Sequence, residues 1–350
     1  MKDTAARCLP LKTHRKSNYM KPSSYKALVI REAEDGSFSR AIEHVSADFL
    51  PENEVLIRVK FAGLNYKDAL SASGHKGVTR SFPHTPGVDA AGVVVSDTTG
   101  TWTEGQEVIC TSFDLGMNTN GGFAEYISVP AAWVVPLPTG LSLRQSMVLG
   151  TAAYTAGLAL MKMEQGGQEP SMGPIAVTGS TGGVGSMAVA ILSKAGYEVA
   201  AVTGKADKAA YLQSLGATSI LKREEVNDIS GRPLVRPKWA GAIDNVGGKV
   251  LATLLKACGR NGNVASIGLV ESAELATTVF PFILNGVNLL GIDSAETPSA
   301  IRHAVWNKLS TDWSLDLPEA SSTFCSLEDI PSYMDKLLAG EGVGRIVAEL

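Results

Sequence analysis

The pattern of apolar and polar positions changes character near residue 130. Before that point apolar runs are short and punctuated by glycine and proline: YKALVI (25–30), EVLIRVKFAGLN (54–65), GVDAAGVVVSD (87–97) and EVICTS (107–112). GGFAEYISVP (121–130) alternates apolar and polar residues, as a half-buried strand does. Only YKDALSASG (66–74) reads as a short helix in this region. These runs predict a compact β-rich unit.

Beyond it, SLRQSMVLGTAAYTAGLALMKM (142–163) is apolar at helical spacing, with Ser142 placed to cap it. The spacing predicts one long helix. Strands then alternate with helices. Strands are predicted at 174–179, 197–204, 219–223, 263–269 and 287–293, and a strand with its turn at 240–248. Helices are predicted at 182–196, 205–217, 249–262 and 277–286. Six strands joined by helical crossovers predict an α/β fold with a doubly wound, six-stranded parallel Rossmann sheet. A further helix, SLEDIPSYMDKLLAG (326–340), precedes a last strand, GRIVAEL (344–350). A lone terminal strand is expected to rejoin the first unit. The expected division is therefore 22–148 together with 296–350, enclosing a dinucleotide-binding unit at 149–295. Residues 1–21 carry basic residues and little apolar periodicity, and are expected to be a disordered extension. MKPSSYKALVI runs straight from Met20 into the first strand, which makes Met20 a candidate start.

Composition narrows the function classes. The chain has 350 residues, 45% of them hydrophobic and 19% charged, which is enough apolar material for two cores. Net charge is -4, so no basic field is available to hold nucleic acid or an anionic membrane. The apolar runs are too short for a membrane span. Cys8, Cys110, Cys258 and Cys325 are far apart and form no CxxC pair, which argues against a zinc knuckle or a disulfide framework. Isolated thiols fit a cytoplasmic protein.

The stretch VTGSTGGVG (177–185) joins the first strand of the alternating series to its helix. Gly179, Gly182 and Gly185 form G-x-x-G-x-x-G, with Gly183 as an extra. Glycine lets a pyrophosphate approach the backbone, and the helix start offers it unpaired N–H groups and partial positive charge. A tight turn alone would also use such glycines. The βα context favours the dinucleotide. At the end of the second strand, where an acidic residue would bind a free ribose hydroxyl, the chain reads Thr203, Gly204, Lys205. Lys205, and Arg223 at the end of the third strand, can pair with a 2′-phosphate. NADPH is therefore expected over NADH.

HTPGVDAAG (84–92) places Asp89 where a metal-site carboxylate would stand in zinc dehydrogenases of similar layout, yet no cysteine set accompanies it. His84 is read as a satisfied surface histidine. No metal is expected. Without a Lewis acid, the acceptor must already be activated by conjugation: an enone, a quinone or an enoyl thioester.

Several segments together resemble the zinc-free medium-chain dehydrogenase/reductases, and among them the quinone oxidoreductase/acryloyl-CoA reductase group. They are LNYKDAL (64–70), FPHTPGVDAAG (82–92), GTAAYTAGLAL (150–160), VTGSTGGVGS (177–186), WAGAIDNVGG (239–248), TTVFPFILNGVNLLGIDS (277–294) and GRIV (344–347). The resemblance runs from about Tyr25 to Leu350. It implies a GroES-like catalytic domain beside the Rossmann sheet, NADPH-dependent reduction of acryloyl-CoA to propionyl-CoA, and a homodimer. It also implies that Tyr66 lies beside the nicotinamide and that Ser180, Thr181, Gly182, Gly183 and Val184 hold the pyrophosphate. Thr203, Gly204, Lys205 and Arg223 would hold the 2′-phosphate end, and Leu269, Ile283 and Ser294 would line the nicotinamide side. Relatives often carry Arg where this chain has Lys205, which keeps the charge but loses the planar fork.

Tyr66 is the first candidate for positioning substrate or nicotinamide, with Asn65 beside it and Asp68 orienting the loop. Loop and sheet cannot separate an enoyl thioester from a quinone as acceptor, nor an enzyme from an NADPH-binding sensor or structural protein. VNLLGID (287–293) should be an edge strand. It carries no proline or basic residue to blunt pairing, which points to a homodimer through this strand.

Overall fold

The structure is a computed structural model, and it describes residues 22–350. The expected tail, the start at Met20 and Cys8 lie outside the described residues. The chain opens with a two-stranded antiparallel ribbon, β1 (Ser24–Glu32) and β2 (Phe38–Ser46). Strand β2 was not anticipated from the sequence. Its residues are all exposed or half-buried, so FSRAIEHVS shows no apolar face.

There follow β3 (Val55–Leu64), α1 (Tyr66–Ala72), β4 (Asp89–Asp97), β5 (Glu107–Thr111), β6 (Tyr126–Val129) and β7 (Val134–Pro136). Helix α2 (Leu143–Gln165) leads into β8 (Ile175–Thr178), α3 (Gly183–Lys194), β9 (Val199–Thr203), α4 (Ala209–Ser214) and β10 (Ser219–Lys222). Next come β11 (Trp239–Asp244), α5 (Gly248–Lys256), β12 (Cys258–Ser266), α6 (Phe280–Asn285) and β13 (Asn288–Gly291). The chain closes with α7 (Ser299–Ser310), β14 (Ser322–Ser326), α8 (Ile330–Leu338) and β15 (Arg345–Glu349).

Strands β8 to β13 form the expected six-stranded sheet, in the order β10-β9-β8-β11-β12-β13, with every neighbouring pair parallel. Both faces are covered. Ile175 and Val177 point into one core with α2 and α3, while Ala176 between them joins a second core with α5. This two-sided burial is why the inner strands β8, β9 and β11 read as unbroken apolar runs. The other sheet runs β14-β15-β3-β4-β5-β7, with β6 pairing β3. Strand β15 thus returns from the far end of the sequence to lie beside β3, antiparallel to it.

Three local expectations need correction. The long helix is interrupted at Gly150, whose φ of 50° and ψ of -157° are not helical. A Cβ there would collide with Asp89 and lie 2.8 Å from Arg345 Nη2, so the break is a close passage of backbone past an ion pair. The helix expected at 249–262 ends at Lys256, and β12 begins at Cys258. Helix α7 was missed, although Val305, Trp306 and Leu309 are buried on it at helical spacing. Each such side chain contributes about 1.5–3 kcal/mol when fully buried. They pack against α2, in a core shared by the two sheets.

Candidate functional site

The glycine loop lies where the sequence predicts it, between β8 and α3. Gly179 has φ 58°, open only to a residue without steric demand. A Cβ on Gly185 would collide with Gly179 O and come within 2.7 Å of Ser180 Cα, so glycine is needed for the turn itself. Ser180 is anchored through its backbone N–H and its Oγ, both donating to Val202 O at 3.2 and 2.9 Å. Gly182 precedes α3 without a side-chain cap. The first amides of α3, from Gly183 to Gly185, therefore face the loop with no intrahelical acceptor. Asn245 follows β11 on the neighbouring strand, its Cβ 3.4 Å from where a Gly179 Cβ would stand. Its Nδ2 donates to Thr178 O, and its Oδ1 is buried without a protein partner. Open amides, a cradle that Cβ atoms would fill and an orphaned acceptor fit a dinucleotide.

At the end of β9, Thr203 Oγ1 accepts from Lys205 N at 3.0 Å. Gly204 is exposed, and a Cβ built on it would lie 3.2 Å from Arg223 Nη2. Thr203, Gly204 and Arg223 thus meet at one strand end. Lys205 Nζ donates to Gly342 O at 2.6 Å, so the ammonium is tied to the segment before β15. Burial and the nearby Lys208 hold it below the usual lysine range.

Tyr66 starts α1 and is 46% exposed. The residues behind it are locked. Asn65 Nδ2 donates to Asp89 Oδ2 at 2.8 Å, and Asn65 Oδ1 accepts from Arg345 Nη1 at 3.0 Å. Arg345 also donates to Leu64 O and Val148 O, and pairs with Asp89 at 3.3 Å. Thr151 donates to Asp89 through both its backbone N–H and its hydroxyl. Asp68 is fully buried and accepts from the backbone N–H groups of Asn65, Gly87 and Val88. Burial pushes its carboxyl up to about 7. Burial pulls the Arg345 guanidinium down, and Asp89 opposes that pull.

The start of β15 lies against the glycine loop. A Cβ on Gly183 would lie 3.2 Å from Arg345 Nη1, and Gly344 N donates to Thr181 O at 3.0 Å. Arg345 thus bonds Asn65 and Asp89, while its neighbour Gly344 bonds the glycine loop at Thr181. Ser294 stands on the α2 side, where its Oγ accepts from Thr155 Oγ1 at 2.9 Å. Leu269 and Ile283 are 65% and 69% exposed, and Ile283 belongs to α6 next to the sheet edge. His84 is buried, not at the surface, with Nε2 3.0 Å from Gly116 O; burial lowers its pKa. Among the described residues no group of three or more His, Cys, Asp or Glu side chains could hold a metal. Cys110, Cys258 and Cys325 are free, and no described helix is long and apolar enough to cross a membrane.

The sequence reading missed Arg345 and Asn245. Arg345 lay inside GRIV, a strand segment, and its partner Asp89 stands 256 positions away. Asn245 followed an apolar strand, and that position was the only signal.

The alcohol dehydrogenase GroES-like domain family matches residues 51–139, and the zinc-binding dehydrogenase family matches 183–310. The "Putative quinone oxidoreductase YhfP" of Bacillus subtilis is 44% identical over 88% of this chain and 94% of its own. Its crystal structure with NAD bound superposes with a TM-score of 0.91 at 42% identity, covering 94% of this chain and all of that one. Acrylyl-CoA reductase AcuI of Ruegeria pomeroyi is 43% identical over 93% of this chain and 99% of its own. The yhdH oxidoreductase of Salmonella enterica, in complex with NADP, is 42% identical with a TM-score of 0.88, covering 93% and 99% of the two chains.

Proposed function

Because this chain belongs to the medium-chain dehydrogenase/reductase family, in the group that holds quinone oxidoreductase YhfP and acrylyl-CoA reductase AcuI, we propose that it is an NADPH-dependent reductase of an activated C=C bond, with acryloyl-CoA reduced to propionyl-CoA. The observation that carries this reading is the Arg345 guanidinium. It holds the loop of the exposed Tyr66 through Asn65, while the adjoining Gly344 N bonds Thr181 O of the glycine loop, which supports one cleft served by both loops.

The bound cofactor would supply the hydride. The amides from Gly183 to Gly185, with Ser180 and Thr181, would hold its pyrophosphate. Thr203, Gly204, Lys205 and Arg223 would take the 2′-phosphate, and β9 ends in Thr203 rather than in a carboxylate. Addition of hydride to the β-carbon puts negative charge on the thioester oxygen, which a donor stabilises. Tyr66 is the donor and positioning group at the open side of the cleft. Asn65, fixed by Arg345 and Asp89, holds its backbone. Asp68 holds the loop from inside, too deep to meet substrate. The proton for the α-carbon comes from water. The reaction needs no metal: its acceptor is polarised by conjugation.

The reading divides the chain into 22–148 with 296–350 and 149–295, and its free thiols suit the cytoplasm. A homodimer belongs to it as well. Strand β13 is an edge of the parallel sheet, and Val279, Phe280, Ile283, Leu284 and Leu289 are exposed in and beside it. A two-fold partner pairing at β13 would cover them.

Loss of NADPH absorbance on adding acryloyl-CoA tests the function. A higher kcat/KM for acryloyl-CoA than for quinones is expected. The reverse ranking would favour a quinone oxidoreductase, the reading that the likeness to YhfP supports. NADPH binding without turnover of either acceptor would leave a cofactor-binding sensor.

A further inference from the structure

Arg302, on α7, is 1% exposed and carries its charge without a carboxylate at ion-pair distance among the described residues. Burying a guanidinium unpaired is expensive, so its bonds must be needed where they are. Nη1 donates to Thr111 O at 3.0 Å, and Nη2 donates to Ser294 O at 3.1 Å and Ala295 O at 3.0 Å. The planar group is flanked by two rings, with Phe113 at 4.1 Å and Tyr154 at 4.7 Å from its carbon to their centroids. The two segments it joins belong to different sheets. Thr111 ends β5, and Ser294 follows β13. The segment after Thr111 is strained: Ser112 and Phe113 hold φ of 65° and 51°, which non-glycine residues rarely adopt. Strain of that kind persists only where surrounding contacts enforce it. Here they are Ser112 Oγ on Thr151 Oγ1 at 2.9 Å, Phe113 stacked on Trp133, and Arg302.

We propose that Arg302 is a positioning residue for the reaction: its fork clamps the Ser294–Ala295 segment, which the reductase reading sets beside the nicotinamide, to the Thr111–Phe113 turn, whose Ser112 bonds Thr151 next to Asp89, and so sets the distance between hydride donor and acceptor. The proposal rests on the reductase reading for its kinetic consequence, not for the clamp itself. A lysine in its place keeps the charge but offers one point of attachment, so it cannot hold both segments in register.

Arg302→Lys and Arg302→Met are compared with Leu254→Ala, a buried change on α5 that serves as the control for stability loss. For Arg302→Lys, kcat with acryloyl-CoA is expected to fall about tenfold to a hundredfold. The KM for NADPH should stay within about threefold, because the phosphate contacts are remote. The isotope effect with 4-deuterated NADPH should rise as hydride transfer becomes limiting. Leu254→Ala should lower the melting temperature and leave kcat and the isotope effect unchanged. Arg302→Lys with kcat within twofold of the parent overturns the proposal, as does a kcat loss that Leu254→Ala shares. If the parent turns over neither acceptor, the reductase reading falls while the clamp is still decided by amide hydrogen exchange. Residues 111–113 and 293–295 should then lose protection together in either Arg302 variant, and loss in one segment alone refutes the clamp.

Discussion

Arg345 Nη2 lies 3.3 Å from Asp89 Oδ2, with both side chains buried, and this pair stands behind both the Tyr66 loop and the glycine loop. Removing one partner from a buried pair leaves the other charge uncompensated. Asp89→Asn should therefore cost about 3–5 kcal/mol of stability, read from urea denaturation, and should depress kcat by loosening Asn65. A loss below about 1 kcal/mol, within the range of a surface pair, would show that the Arg345 charge is balanced elsewhere.

Asp68 sits near the same guanidinium and holds its proton up to about pH 7, chiefly through burial. Its carboxyl titrates higher in the folded chain than in the unfolded one. Its contribution to stability is therefore fully present below about pH 4 and is lost as pH rises through about 7. Melting temperatures measured across this window should fall more steeply with pH in the parent than in Asp68→Asn. Equal slopes would mean that Asp68 titrates normally.

Lys205 Nζ is held at the β9 end by its bond to Gly342 O. Lys205→Ala should raise the KM for NADPH by about tenfold, the loss of one charge-assisted bond, and leave the KM for NADH nearly unchanged. The parent should prefer NADPH. Equal kcat/KM for the two cofactors in the parent would remove the assignment of the β9 end to a 2′-phosphate.

Chelation tests the chemistry proposed for the acceptor. Prolonged treatment with a strong chelator should leave NADPH-dependent turnover intact, and elemental analysis should find far less than one zinc per chain. A stoichiometric metal whose removal abolishes turnover would require a different electrophile.

Light scattering should report a particle of twice the chain mass. Leu289→Pro removes a ladder donor from β13 and should yield monomers. A parent that scatters as one chain, or a proline variant that remains dimeric, would move the interface away from this edge.

The parallel sheet was legible because its inner strands β8, β9 and β11 are buried along their whole length and helices with their own period alternate with most of its strands; the edge strands β10 and β13 are only partly covered. Strand β2 was not legible, since neither of its faces is buried well enough to leave a pattern. Helix α7 did leave a signal in Val305, Trp306 and Leu309, but its polar flanks diluted it. At the candidate site, glycines and the bare end of β9 could be read locally, because a phosphate imposes its demands on a few adjacent residues. Arg345, Asp89 and Arg302 could not. Their meaning lies in partners far along the chain, and no local spacing reports such a meeting. The break at Gly150 has the same origin: it answers to Asp89 and Arg345, not to its own helix.

The placement of β15 also orders events during synthesis. Leu64 waits for Arg345, 281 positions later, before the gap beside β3 is filled. At about 5–20 residues per second, that is roughly a quarter of a minute to a minute on the ribosome. Strands β8 to β13, all encoded between residues 175 and 291, can close their sheet in the meantime. A nascent chain stalled before residue 345 would thus carry a finished glycine loop beside a sheet with an open edge and an unbalanced Asp89. Such a product is marked by its own exposed backbone as a substrate for chaperones and proteases.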